Sequence, residues 1–166
     1  MFNIEPVSGD PAQLRRAFGC FPSGVTAVCA QDEAGVPVGM AASSFTSVSL
    51  SPALVSVCVQ NSSTTWPRLR RLPRLGVSVL GADQDTAAQR LAMKTGDRFH
   101  GLDWDATEDG TILVRGAAAA MDCSIHSEVP AGDHMIVLLA VHALRADPEC
   151  SPLVFHGSRF RQLAVV

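Results

Sequence analysis

The order of its strand-like segments constrains this chain most. Apolar and β-branched runs occupy residues 24–31, 36–44, 53–60 and 75–81, and further runs cover 111–116 with 117–129, 135–147 and 153–163. Gly, Pro and Asp separate them, and the hairpin turn at 32–35 is one example. About seven strands that do not alternate with helices make a doubly wound parallel sheet improbable and favour a mostly antiparallel barrel.

Three short helices complete the predicted elements. Asp10 before Pro11 is a helix start, and Leu14, Ala17 and Phe18 then fall on one face. A second helix is predicted over 64–72, where Thr65 precedes Trp66, and a third over 83–94, which ends on Lys94. No internal repeat or low-complexity linker is visible, so the sequence predicts a single domain over 1–166.

Composition indicates which partners to expect. Charged residues make up 17% and hydrophobic residues 47%, so a monomer would have few polar side chains to cover its surface, and we expect a homo-oligomer. A net charge of −3 gives no basic field for nucleic acid. The N-terminal residues lack the basic start of a signal peptide, and the apolar run 135–144 is half a membrane span. A soluble cytoplasmic protein without a membrane partner is expected.

Several common sites are missing from the sequence. It contains no GxGxxG, no GxxxxGK[ST] and no GxSxG motif. The five cysteines form no CxxC pair, and we interpret Cys29 and Cys58 as small apolar residues within strands. His126, His134 and His142 have even spacings on two predicted strands, yet no HxH or HxxxH pair supports a metal site, and none is predicted.

Two hydroxyl-rich segments are the best candidates for binding a ligand. Residues 41–49 combine small side chains, which let a planar ligand approach the backbone, with hydroxyls that can hydrogen-bond it. Residues 61–64 stand just before a predicted helix start, where unpaired N–H groups suit a phosphate. Both segments could equally be turns in which Ser and Thr cap the backbone.

These segments also resemble those of a known family. The stretches FPSGVTAVCA, VPVGMAASSFTSVSL, LVSVCVQNSSTTWPRLR, DRFHGLDW, AGDH and LVFHGSRFRQL follow in order over nearly the whole chain. The sequence thereby resembles the flavin reductase-like proteins, which serve as reductase components of two-component flavin-dependent monooxygenases. The resemblance implies a split β-barrel of the antiparallel Greek-key type with a few short peripheral helices, a homodimer, and hydride transfer from NADH or NADPH to FMN or FAD.

The resemblance also implies site residues. It assigns the isoalloxazine and ribityl groups to Ala41, Ala42, Ser43, Ser44, Phe45, Ser47, Val48 and Ser49. It assigns the flavin phosphate to Ser62, Ser63 and Thr64, with Arg68 as a counter-charge, Lys94 near the phosphates or the adenylate side, and Phe99 beside the flavin. His134 of the Gly132-Asp133-His134 motif becomes the catalytic candidate on the nicotinamide side. Phe99 could instead be a core aromatic, and His134 a strand-end histidine.

Two departures from the family pattern affect flavin binding. Ala41 stands where the family often has Thr, and Ser51-Pro52-Ala53 replaces a common DPP, which leaves the preference for FMN or FAD open. Hydride transfer needs stacked rings and exclusion of water rather than a general base. The alternatives are a flavin-binding or redox-sensing module without turnover and a flavoprotein of the pyridoxamine-phosphate-oxidase type.

Overall fold

The structure is a computed structural model that describes residues 4–164. Its helices are α1 (Pro11–Phe18), α2 (Trp66–Leu69) and α3 (Asp85–Leu91). Asp10 caps α1 as predicted, since its Oδ1 accepts a hydrogen bond from the N–H of Ala12 at 2.9 Å. No helix within this range has the length and apolar character needed to cross a membrane.

Within residues 4–164, twelve strands form one large sheet and two small ones. They are β1 (Ser23–Gly24), β2 (Thr26–Gln31), β3 (Pro37–Ala42), β4 (Thr46–Leu50), β5 (Ala53–Gln60), β6 (Leu75–Val79), β7 (Trp104–Ala106), β8 (Ile112–Val114), β9 (Ala119–Ala131), β10 (His134–Ala146), β11 (Val154–His156) and β12 (Arg159–Arg161). The large sheet has the order β3-β2-β6-β9-β10-β5-β4, and its neighbouring strands are antiparallel.

The large sheet curls around a core that contains side chains of β3, at one end of the strand order, and of β5, next to the other end. Val38 of β3 and Val57 of β5 belong to the same buried cluster. On the other face of β2, Ala27 and Cys29 pack in a second cluster beneath α3 and β8. The mostly β, antiparallel fold with few helices confirms the fold predicted from the sequence.

Two glycines allow elements to pack closely. A Cβ on Gly76 of β6 would lie 1.8 Å from the carbonyl oxygen of Ile112 in β8. A Cβ on Gly39 of β3 would lie 2.5 Å from Cys29 Sγ and 2.8 Å from Phe99 Cζ. Only a residue without a side chain lets these partners approach.

The element boundaries differ from the predictions in several places, and β7 was not predicted at all. β4 overlaps the segment 41–49, which we interpreted as a ligand segment; its alternating Val48 and Leu50 cover only a few residues and lie on a mostly exposed edge strand. Predicted strand 153–163 is a hairpin of β11 and β12. The predicted helices at 64–72 and 83–94 shorten to 66–69 and 85–91.

Candidate functional site

A cleft of about 690 Å³ brings together five separate segments of the chain. It lies where β3, β5 and α3 end and where β10 begins. We call it the first cleft. Nine of the residues predicted from the sequence line it: Ala41, Ala42, Ser43, Ser44, Ser62, Ser63, Thr64, Lys94 and His134.

Strand register brings His134 to this cleft. His134 pairs with Gln60 at the end of β5, opposite the start of β10. Asn61 then donates from its backbone N–H to the carbonyl of Asp133 at 2.9 Å, and from its side-chain amide to the carbonyl of Gly132 at 3.2 Å. The Gly-Asp-His turn is therefore fixed to the start of the Ser-rich loop.

Residues 43–45, which we call the cleft segment, connect β3 to β4 without belonging to either strand. Their three backbone N–H groups have no acceptor among residues 4–164. The hydroxyl of Ser44 accepts a hydrogen bond from the N–H of Cys58 at 2.8 Å and donates one to the carbonyl of Cys58 at 3.1 Å. The side chain of Ser44 thus binds β5, while the backbone of the segment keeps its donors.

The loop before α2 is held by side chains that sequence reasoning had assigned differently. Thr65 was expected to cap α2, but Ser63 does so, accepting from the N–H of Trp66 at 3.1 Å. Thr65 Oγ1 instead accepts from Arg98 Nη1 at 2.6 Å, and the same nitrogen donates to the carbonyl of Gly39 at 2.9 Å. Arg98 therefore connects the loop to β3.

An adjoining cleft of about 530 Å³, the second cleft, shares Thr64, Thr65, Lys94 and Arg98 with the first. Arg68 and Phe99 lie here rather than in the first cleft. Arg68 pairs with Asp32 at 3.3 Å, and the Phe99 ring packs against the edge of Trp104 with centroids 6.2 Å apart. Phe99 thus packs against the core and also lines a cleft.

A third cleft of about 1030 Å³ meets the first at Ser43, Ser44 and His134. Phe45 and Ser47 line it, together with exposed aromatic side chains near α1. The structure places Val48 and Ser49 on the edge strand β4, outside these three clefts. Their part in binding stays a prediction.

The imidazole of His134 has one defined partner. Its Nδ1 lies 2.7 Å from Asp133 Oδ1, and this hydrogen bond lowers the pKa of the Asp133 carboxyl, with a smaller contribution from the charge of the imidazolium. Asp133 itself is almost fully exposed. With Nδ1 engaged, Nε2 is the nitrogen left for a ligand.

Among the residues of the first cleft that were not predicted as site residues are Gln60, Thr65 and Arg98, whose side chains can hydrogen-bond a ligand. Gln60 could have been found as the last residue of a strand beside the Ser-rich loop. Arg98 belongs to the DRFHGLDW stretch that carries the resemblance, but its contacts to Gly39 and Thr65 join segments far apart in sequence and were not predicted. In the part of the chain that the structure describes, no three His, Cys, Asp or Glu side chains are grouped as metal ligands.

Comparison with protein families identifies this arrangement. The family model described as "Flavin reductase like domain" matches residues 18–164. The chain belongs to the flavin reductase-like family. The family predicted from the sequence motifs is confirmed.

Relatives of the flavin reductase-like family support this assignment at high coverage. A flavin reductase of Pseudomonas putida is 40% identical over 95% of this chain and 92% of its own. The solved NADH:FAD oxidoreductase SgcE6 of Streptomyces globisporus, in complex with NAD and FAD fragments, has a TM-score of 0.90, 44% identity and coverage of 97% and 98%. The reductase subunit HsaB of a flavin-dependent monooxygenase from Rhodococcus jostii is 34% identical over 91% of this chain and 77% of its own.

Proposed function

We propose that this protein is an NAD(P)H-dependent flavin reductase, which transfers hydride from NADH or NADPH to FMN or FAD. The observation that carries the proposal is the first cleft, where residues from five segments of a flavin reductase-like chain converge. Flavin is then a substrate, which enters the cleft oxidised and leaves it reduced.

The donors of the first cleft fit a flavin ring. Ser43 and Ser44 line this cleft, and their backbone N–H groups, which have no acceptor among residues 4–164, match the carbonyl and ring-nitrogen acceptors on one edge of isoalloxazine. Ala41 and Ala42 present small side chains beside them, so a planar ring can approach β3. Ser62 and Thr64 offer hydroxyls to the ribityl chain and phosphate, whereas Ser63 already caps α2.

The second cleft supports FAD as a substrate. It continues from the first cleft through Thr64 and Lys94, and Arg68 and Arg98 add two further cations. Such a space suits the second phosphate and the adenosine of FAD, for which cationic side chains are good partners. Asp32 pairs with Arg68 and reduces the charge that this arginine offers.

His134 orients the nicotinamide. It stands where the first and third clefts meet, so its Nε2 reaches a ligand that approaches from the third cleft. The bound flavin and nicotinamide supply the redox chemistry, as hydride passes from nicotinamide C4 to flavin N5. The residues of the chain hold the two rings together and exclude water.

A homodimer is part of the proposal. The apolar face predicted for α1 does not pack into the core, since Phe18 is 71% exposed, and Phe21 in the following turn is 77% exposed. Both side chains line the third cleft, so a second copy on this surface would cover the nicotinamide side. Light scattering that finds 17.5 kDa particles at micromolar concentration would contradict the dimer.

We place this single-domain reductase, residues 1–166, in the cytoplasm beside a flavin-dependent monooxygenase, to which it delivers reduced flavin. The five cysteines are all free thiols, as expected for a reducing compartment. The relative named as a monooxygenase reductase subunit supports such a partner.

A steady-state assay tests the proposed reaction. NADH and NADPH are each combined with FMN, FAD and riboflavin, and oxidation of the nicotinamide is followed by its absorbance. We expect consumption that requires added flavin. Flavin binding without consumption would favour a non-catalytic module, and tightly bound FMN without any need for nicotinamide would favour an oxidase.

A further inference from the structure

The side chain of Ser44 fills a gap in the large sheet. On the side of β5 that faces β4, Ser56 pairs with Thr46, the first residue of β4. Two residues further along the same side, Cys58 has no backbone partner in β4, because the chain there belongs to the cleft segment and no longer follows β5. The hydroxyl of Ser44 takes the place of that partner, with one hydrogen bond to the N–H and one to the carbonyl of Cys58.

These two bonds use the hydroxyl almost completely. A serine hydroxyl has one proton and two lone pairs. The proton is donated to the carbonyl of Cys58, and one lone pair accepts from its N–H. While this geometry lasts, Ser44 has no proton left to donate to a flavin carbonyl.

The same bonds determine where the backbone donors of the cleft segment point. If β4 continued its ladder to Cys58, the backbone of residue 44 would be paired with β5. Because the side chain bonds instead, the N–H of Ser44, which the ladder would have used, has no acceptor among residues 4–164, and Ser44 lines the first cleft. The Ser44 side chain thus replaces a backbone bond, and a backbone donor becomes available to a ligand.

We infer that Ser44 is a positioning residue, which orients the backbone of the cleft segment for the flavin ring through Cys58 rather than binding flavin through its hydroxyl. This inference rests on the proposed function, since it takes flavin as the ligand of the first cleft. It differs from the role that sequence resemblance gives to the Ser44 side chain.

The test compares Ser44→Ala with a matched control, Ser78→Ala. Ser78 Oγ also accepts from a backbone N–H, that of Val114 at 3.0 Å, but lies in the interior away from the first cleft. In the flavin-free protein, we expect Ser44→Ala to speed amide hydrogen exchange at Cys58 by about tenfold or more, since a lost hydrogen bond removes protection. Riboflavin and FMN should both bind weaker by a similar factor, roughly 5- to 100-fold. Ser78→Ala should lower stability yet leave binding of both flavins unchanged.

Each result decides the inference. Unchanged exchange at Cys58 in flavin-free Ser44→Ala would overturn it, as would unchanged riboflavin binding despite fast exchange, or a loss confined to FMN. If Ser44→Ala does not fold, the wild-type protein decides: slow exchange of the Cys58 amide without flavin supports the inference, and fast exchange refutes it. Failure of wild-type protein to bind riboflavin or FMN would instead refute the proposed function.

Discussion

Substitution of Gly39 by Ala tests how the second cleft is built. Gly39 lies opposite Cys29 in the β2–β3 ladder, and its open face receives the tip of the Phe99 ring. The added methyl would lie 2.5 Å from Cys29 Sγ and 2.8 Å from Phe99 Cζ, closer than the 3.0 Å below which Cβ contacts essentially never occur. Cys29 is fully enclosed, so we expect the Phe99 ring to be displaced toward the second cleft.

The loss of stability that we expect in Gly39→Ala follows from overpacking. Forcing one methyl into a filled site destabilises a protein by about 1–3 kcal/mol. Cys29→Ala removes the closer of the two atoms and by itself costs about 1 kcal/mol, as for loss of one buried heavy atom. The double variant should therefore be more stable than the sum of the two single losses predicts, by about 1 kcal/mol.

Urea denaturation of the four proteins in this double-mutant cycle measures the coupling. Flavin titrations add a functional measurement, because Arg98 donates to the carbonyl of Gly39 and lines both clefts. Gly39→Ala should weaken FAD more than riboflavin. Wild-type stability of Gly39→Ala, or a coupling energy of zero, would refute the packing argument.

Three other changes test the remaining groups. His134→Ala should lower kcat and raise KM for NADH, with FMN affinity within a few fold; stopped-flow kinetics check this, and a parallel loss of FMN binding would indicate a structural role instead. Arg68→Ala should weaken FAD by roughly 3- to 10-fold but leave riboflavin unchanged in fluorescence titrations, because only FAD reaches the second cleft. The hydrogen bonds from Arg74 hold the pKa of Asp122 below its ordinary value of 3.8, with a further hydrogen bond from Thr111. This stabilisation is present above the ordinary pKa and is lost as pH falls through the lowered pKa of Asp122. The urea midpoint of Asp122→Asn should therefore fall less at acid pH than that of the wild-type protein.

Local patterns in the sequence predicted most of the large sheet. The runs that became β2, β5 and β6 carry enough Val and Leu to be recognised from period and composition alone. β4 was not predicted as a separate strand, because its alternation of Val48 and Leu50 with serines is too short to stand out and its pairing depends on β5.

The candidate site was predicted unevenly for a similar reason. Hydroxyl-rich segments and the Gly-Asp-His turn are local signals, and the fold brings Ser43, Thr64 and His134 to one cleft. The contacts of Arg98 join residues 33 and 59 positions apart, and no local pattern encodes them. The resemblance named the residues, but the bond that Ser63 accepts at the start of α2 and the bond that Thr65 accepts from Arg98 required coordinates.

β2 has no solvent-facing side over most of its length, since Thr26 to Ala30 are all buried. It pairs with β3, so Ala41 and Ala42 rest on a strand that is enclosed by packed side chains above and below. The opposing walls of the cleft are connections at residues 43–45, 61–65 and 92–98, which are not bound into the sheet ladder. Buried strands on one side of the cleft and connections outside the sheet ladder on the other sides suit a ligand that must be bound in one orientation for the reaction and released after every turnover. We expect amide exchange to be slower at β2 than in those three connections.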